Sequence, residues 1–116
     1  MIARLTITAA LLSAATAVPA LARDNQPVPE QRIRNIASLL ETVPDPRQGV
    51  FIRAYDGRWY YARTLDECPR LTATAPLRLL PSPGGYFDRN SAIAADGWRC
   101  LVSSVVASDG PPSRRH

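Results

Sequence analysis

The chain contains no lysine, and its one histidine is the last residue, His116. It has two cysteines, two phenylalanines and a single methionine at its start. These shortages exclude much chemistry. A phosphate-cradling loop needs a lysine after its glycines; Ser82-Pro83-Gly84-Gly85 has neither that lysine nor a following helix, and reads as a turn. No GxSxG or HExxH pattern is present. Without an internal histidine no cysteine–histidine zinc set can be completed. The adjacent acids Asp66 and Glu67 sit in a turn-like stretch where neighbours point apart, and neither a nucleophile nor a histidine accompanies them. Hydrolysis by scattered carboxylates is not favoured by any spacing. The expectation is a protein that is not an enzyme, with no catalytic residue, cofactor or metal.

Long apolar runs are also scarce. The one present follows Met1-Ile2-Ala3-Arg4, reads LTITAALLSAATAV, and precedes Ala20-Leu21-Ala22. A short positive start, an apolar stretch and a small-x-small site describe a secretory signal peptide. A transmembrane anchor is the alternative, but about 14 apolar or small residues are too few to cross ~30 Å of hydrocarbon. No cysteine follows the site, which disfavours a lipid anchor. Cleavage is expected after Ala22, giving a periplasmic or secreted bacterial protein that starts at Arg23 and keeps no membrane span. Residues 1–22 are then the signal, 23–31 a flexible leader with two prolines, 32–107 one small domain, and 108–116 a disordered tail. A domain of this size buries little more than ~60% of its unfolded surface and is stable by a narrow margin.

After Ala22 the remaining arginines exceed the 10 acidic residues by three. That excess is mild and scattered, and arginine without lysine is the mark of a GC-rich coding sequence more than of a binding patch. Nucleic acid is disfavoured by the compartment. Both cysteines, Cys68 and Cys100, survive cleavage, and an even count in an exported chain reads as a disulfide. A ring of about 33 residues is worth on the order of 3.5–4 kcal/mol in the loop-entropy treatment. A reactive thiol pair or half a metal site are the alternatives, but the spacing is not CxxC and no histidine is at hand.

In chain order, Ile33, Ile36, Ala37 and Leu40 fall at i, i+3, i+4 and i+7, predicting a short amphipathic helix from Arg32 that Pro44 and Pro46 stop. Its expected role is to lie on a sheet and cap the core. GVFIRAYDGRWYYART at 49–64 predicts a β-hairpin about Asp56-Gly57. A two-residue turn would pair Tyr55 with Arg58, Ala54 with Trp59, Arg53 with Tyr60 and Ile52 with Tyr61. One face then carries Val50, Ile52, Ala54, Trp59 and Tyr61 as core; the other carries Phe51, Arg53, Tyr55, Arg58 and Tyr60. TATAPLRLL at 72–80 is a weaker strand suited by Pro76 to an edge. SAIAA and WRCLVSSVV flank Asp96-Gly97, a second hairpin that pairs Ala95 with Trp98 and Ile93 with Cys100. The two Asp-Gly hairpins share turn chemistry but place tryptophan at different offsets, so they are not read as a repeat. The predicted fold class is α+β, mainly antiparallel β: one N-terminal helix on a curled sheet or half-open barrel of about five strands.

Three features together carry a resemblance: the aromatic strand with Tyr60-Tyr61, the segment Leu65-Asp66-Glu67-Cys68-Pro69-Arg70-Leu71, and Gly97-Trp98-Arg99-Cys100. With them, residues 33–106 resemble a domain-of-unknown-function family of small exported bacterial proteins. The resemblance implies an exported, cysteine-paired domain and transfers no catalytic residue.

Two functions of different kinds follow. In the first, Phe51, Arg53, Tyr55, Arg58 and Tyr60 form a binding face, since arginine grips an anion while stacking on a ring and tyrosine adds rigid area. Partners of matching chemistry are anionic glycans, lipid head groups or an envelope protein; the same alternation also describes a merely solvated sheet face. In the second, the protein is an inhibitor or assembly accessory that lends the edge strand 77–80 to a partner.

Overall fold

The computed structural model describes residues 28–112, so the segment read as a signal peptide, most of the leader and the last four residues lie outside the described residues. Six strands follow in order: β1 (Glu41–Asp45), β2 (Gly49–Arg53), β3 (Trp59–Thr64), β4 (Leu77–Leu80), β5 (Ala92–Ala95) and β6 (Trp98–Ser108). They form one antiparallel sheet in the order β1-β2-β3-β6-β5-β4. Two three-stranded meanders therefore meet at the β3–β6 pair, and the sheet curls into a half-barrel. Between Arg63 and Thr64 the β3–β6 register shifts: Ser104 opposes Arg63, and Val102 opposes Thr64. Ser103 is the extra residue of this bulge, and its hydroxyl donates to the Arg63 and Thr64 carbonyls at 3.2 and 3.4 Å. A bulge bends and twists a long strand, which lets β6 serve both meanders.

The inward side holds Val50, Ile52, Ala62, Leu71, Phe87, Ile93 and Val105 with no exposed surface. Cys68 and Cys100 are bridged across a Cα separation of 5.9 Å, and both are buried in this cluster. The bridge ties the irregular connection 65–76 to the start of β6. Leu71 is fully buried on the same connection, and its carbonyl accepts from Arg47 N at 3.0 Å.

The expected N-terminal helix is not formed. Among the described residues the only helical element is a single 3-10 turn, Ile36–Ser38. Asn35 before it is left-handed at φ 53°, which breaks any helix entering from Arg32. Ile33 instead makes an isolated β-bridge with Phe87, and both are buried. Ten residues of helical pattern are too few to hold a helix alone, and two backbone hydrogen bonds to Phe87 outcompete it. Leu40, counted on the helix face, is 55% exposed. The following stretch, with Pro44 inside it, becomes edge strand β1, where a missing N–H is tolerated. The strand count is accordingly six rather than about five.

The described ends are tied down. Gln31 N donates to Val105 O at 2.8 Å, and the Glu30 carboxylate accepts from Val105 N at 2.9 Å. Gly110 and Pro111 are buried, with Gly110 against the Trp59 indole. No helix among the described residues is long and apolar enough to cross a membrane.

Candidate functional site

The two Asp-Gly turns differ, and the difference sets the site. Asp96 (φ 50°) and Gly97 (φ 79°) make the expected two-residue turn, with Ala95 opposite Trp98 and Ile93 opposite Cys100. In the first hairpin Gly57 N bonds Ala54 O, Ala54 N bonds Arg58 O, and only Gly57 has positive φ. This is a three-residue loop, a type I turn closed by a left-handed glycine. Arg53 therefore faces Trp59, Ile52 faces Tyr60 and Val50 faces Ala62, one residue off the expected register. A slip of one turns a whole strand over. Tyr60 packs against the core, while Trp59, Tyr61 and Arg63 go outside.

Of the expected binding face, Phe51 and Arg53 lie on the outer surface. Tyr55 (45% exposed) and Arg58 are on the loop, where Arg58 pairs with Asp56 at 3.5 Å. Tyr60 is on the opposite side of the sheet. The residues that join Phe51 and Arg53 are Trp59, Tyr61, Arg63 and Val106, which the correct hairpin register would have revealed.

The outer face of β1, β2, β3 and β6 is laid out in rows by the registers. Val43, Phe51, Tyr61 and Val106 form an apolar central row. Glu41, Arg53, Trp59 and Ser108 flank it on one side; Asp45, Gly49, Arg63 and Ser104 flank it on the other. The Phe51 and Tyr61 rings are 4.8 Å apart and tilted by 53°. Tyr61 reaches across Gly49, and its hydroxyl donates to Asp45 Oδ2 at 2.7 Å. Burial, then the Asp45 hydrogen bond and charge, raise the Tyr61 phenol well above its ordinary range, with Arg63 pulling weakly the other way. A Cβ on Gly49 would meet the Ala62 carbonyl and the Tyr61 ring, so glycine is required for the ring to lie there.

Two hollows adjoin at this edge. One, of about 480 Å³, is lined by Asp45, Phe51, Tyr61, Val106 and Asp109. The other, of about 490 Å³, lies between Pro46-Arg47 and Leu65-Asp66-Glu67. Gln48 and Arg63 line both. Arg47 is engaged with Glu67 at 3.1 Å, whereas Arg63 takes part in no ion pair among the described residues. The arrangement presents a free guanidinium and a carboxamide beside two aromatic rings. It suits recognition of a ring-shaped ligand bearing a negative charge, through bidentate hydrogen bonding and stacking. Among the described residues no group of three His, Cys, Asp or Glu side chains could hold a metal ion.

No protein-family model, curated protein or solved structure matches the chain.

Proposed function

We propose that the protein is an exported, non-catalytic binding module of the bacterial envelope, and that its outer sheet face takes an anionic glycan. The observation that carries this reading is Arg63, in no ion pair among the described residues, at the junction of the two hollows and next to the Phe51–Tyr61 rings. Export is supported by the bridged Cys68–Cys100 pair, since structural disulfides persist in oxidising compartments, and by the signal-like start of the sequence. The likeness of Leu65 to Leu71 and of Gly97 to Cys100 to the exported domain-of-unknown-function family points the same way.

The test is titration of the protein isolated from the cell envelope with uronic-acid oligosaccharides. Loss of a charge-assisted pair in Arg63→Ser should weaken binding by roughly ten- to a hundredfold, and Phe51→Ala should weaken it without altering its salt dependence. Equal affinity of wild type and Arg63→Ser would reject the site. N-terminal sequencing of the same material should read Arg23 first; an intact Met1 would reject the export reading.

A second reading has its own observation. Among the described residues strand β4 pairs with β5 alone and so offers an open edge. Asp96 N donates to Pro76 O, which sets the hydrogen-bonding parity and turns the Leu77 and Leu79 amides to the open side. A partner strand added there should slow hydrogen exchange at Leu77 and Leu79. Unchanged exchange at these two amides in envelope extract would dismiss this mode.

A further inference from the structure

The other half of the sheet has an outer face of different composition. The registers set Arg78, Ala94 and Arg99 in one transverse row and Leu80, Ala92 and Leu101 in the next. Leu65 extends the second row, since its N–H donates to the Leu101 carbonyl at 2.8 Å. Leu65 and Leu101 are 57% and 52% exposed. Ala92 between the leucines is buried but stands outside the main core cluster. Arg78 and Arg99 are exposed, and neither takes part in an ion pair among the described residues. None of these outward strand positions is acidic, whereas the face over β1 to β3 mixes Glu41 and Asp45 with its arginines.

Geometry decides what such a face fits. Two strand spacings put the Arg78 and Arg99 backbones roughly 10 Å apart, with the leucine row about 7 Å further along the strands. At that spacing each guanidinium can hold a phosphate of its own. They match a surface on which phosphates recur, and the adjacent leucines match the apolar layer just beneath it. Arginine suits this boundary because its stem lies along apolar groups while its head holds phosphate in bidentate fashion. We infer that the outer face of β4, β5 and β6 docks on an anionic bilayer surface. Leu65, Leu80 and Leu101 enter the boundary between head groups and acyl chains, and Arg78 and Arg99 sit on lipid phosphates. The face borders the glycan site, since Leu65 also lines the hollow between Pro46-Arg47 and Asp66-Glu67.

The experiment is co-sedimentation of the envelope-isolated protein with vesicles of equal parts phosphatidylglycerol and phosphatidylcholine, against phosphatidylcholine alone. Wild type should partition onto the anionic vesicles and be released by salt. Arg78→Ser with Arg99→Ser should lower partitioning about thirtyfold, from roughly fivefold per arginine near such a surface. Replacing both by lysine should restore most of it. Leu65→Ser with Leu101→Ser should weaken binding while leaving the salt dependence in place. Arg58→Ser, which removes an equal charge from the loop of the first hairpin, should bind as wild type. All substituted side chains are exposed, and circular dichroism together with the lysine rescue separates lost binding from lost folding. Equal partitioning of wild type onto both vesicle types would overturn the inference. So would a double-serine variant that sediments like wild type, or competition of wild type off the vesicles by inorganic phosphate at matched ionic strength.

Discussion

Removing the disulfide should cost this domain a large part of its stability. The bridged residues are 32 apart in sequence, and loop-closure entropy for a ring of that size gives ~3.7 kcal/mol at room temperature. Domains of this class have only about 5–15 kcal/mol in all. For a domain of this length the loss corresponds to a fall in Tm of roughly 15–30 °C. Cys68 is fully buried and Cys100 nearly so, so replacing both by alanine also removes packed sulfur, and the entropic figure is a lower bound. The surface ion pair Arg47–Glu67, with both side chains 65% exposed, offsets little of this. The assay is urea denaturation of Cys68→Ala/Cys100→Ala beside wild type. Because the bridge acts mainly by constraining the unfolded chain, the variant should show a lower midpoint and a steeper dependence on urea. The connection 65–76 should also become the first site of limited proteolysis, since it lacks regular structure and keeps only Leu71 as a buried anchor. A variant within about 1 kcal/mol of wild type, at unchanged slope, would refute the reasoning, because the loop-entropy term would then be absent.

Two further perturbations probe the outer face. Gly49→Ala should destabilise by about 1–3 kcal/mol in denaturant titration, because the added carbon meets the Ala62 backbone carbonyl, which cannot swing aside, as well as the Tyr61 ring. The same variant should push Tyr61 off Asp45. Tyr61→Phe should cost about 1 kcal/mol at neutral pH through the lost hydrogen bond. It should also flatten the alkaline side of the stability curve. The folded protein holds the Tyr61 proton well above the pH near 10 at which an unfolded tyrosine releases it. Stability from this group is therefore complete below about pH 10 and is lost as pH rises through the folded value. Urea midpoints at pH 8 and pH 11 check this; an identical alkaline decline in Tyr61→Phe would assign the loss to other groups.

How far the sequence could be read depended on which residues constrained it. The disulfide was legible because two cysteines allow one pairing, and the second hairpin because Asp96-Gly97 takes the shortest turn its dipeptide permits. The antiparallel class was legible from alternation in 49–64 and 91–106. The N-terminal segment was not. Ile33, Ile36, Ala37 and Leu40 suit a helix by spacing, but a helix of three turns gains little by itself, and whether Ile33 pairs with Phe87 is a contact across more than fifty residues that spacing does not encode. The edge strand β1 was hidden for the same reason: Pro44 argues against a strand everywhere except at an edge, and the edge is set by the sheet order.

The first hairpin is the instructive case, since the information was present and lay further from the turn than the Asp-Gly pair. A two-residue turn at Asp56-Gly57 would set Arg63 opposite Val50, on the inward face with Ile52 and Ala54. A guanidinium there, without a carboxylate partner, costs several kcal/mol. The three-residue loop costs one left-handed glycine and puts Ala62 opposite Val50 instead, sending Arg63 to water. The same test applied to the second hairpin gives the opposite turn. A three-residue loop at Asp96-Gly97 would bring Arg99 opposite Ile93 inside the core, while the two-residue turn brings Cys100 there. Each Asp-Gly pair thus adopts the loop that exports the nearest strand arginine. The hairpin that exports Arg63 carries Tyr61 and Trp59 out with it, because they share its parity along β3. The aromatic and cationic character of the candidate site is therefore a consequence of the same parity that keeps the core apolar, and substituting Arg63 by an apolar residue would weaken both the proposed glycan binding and the preference for this register.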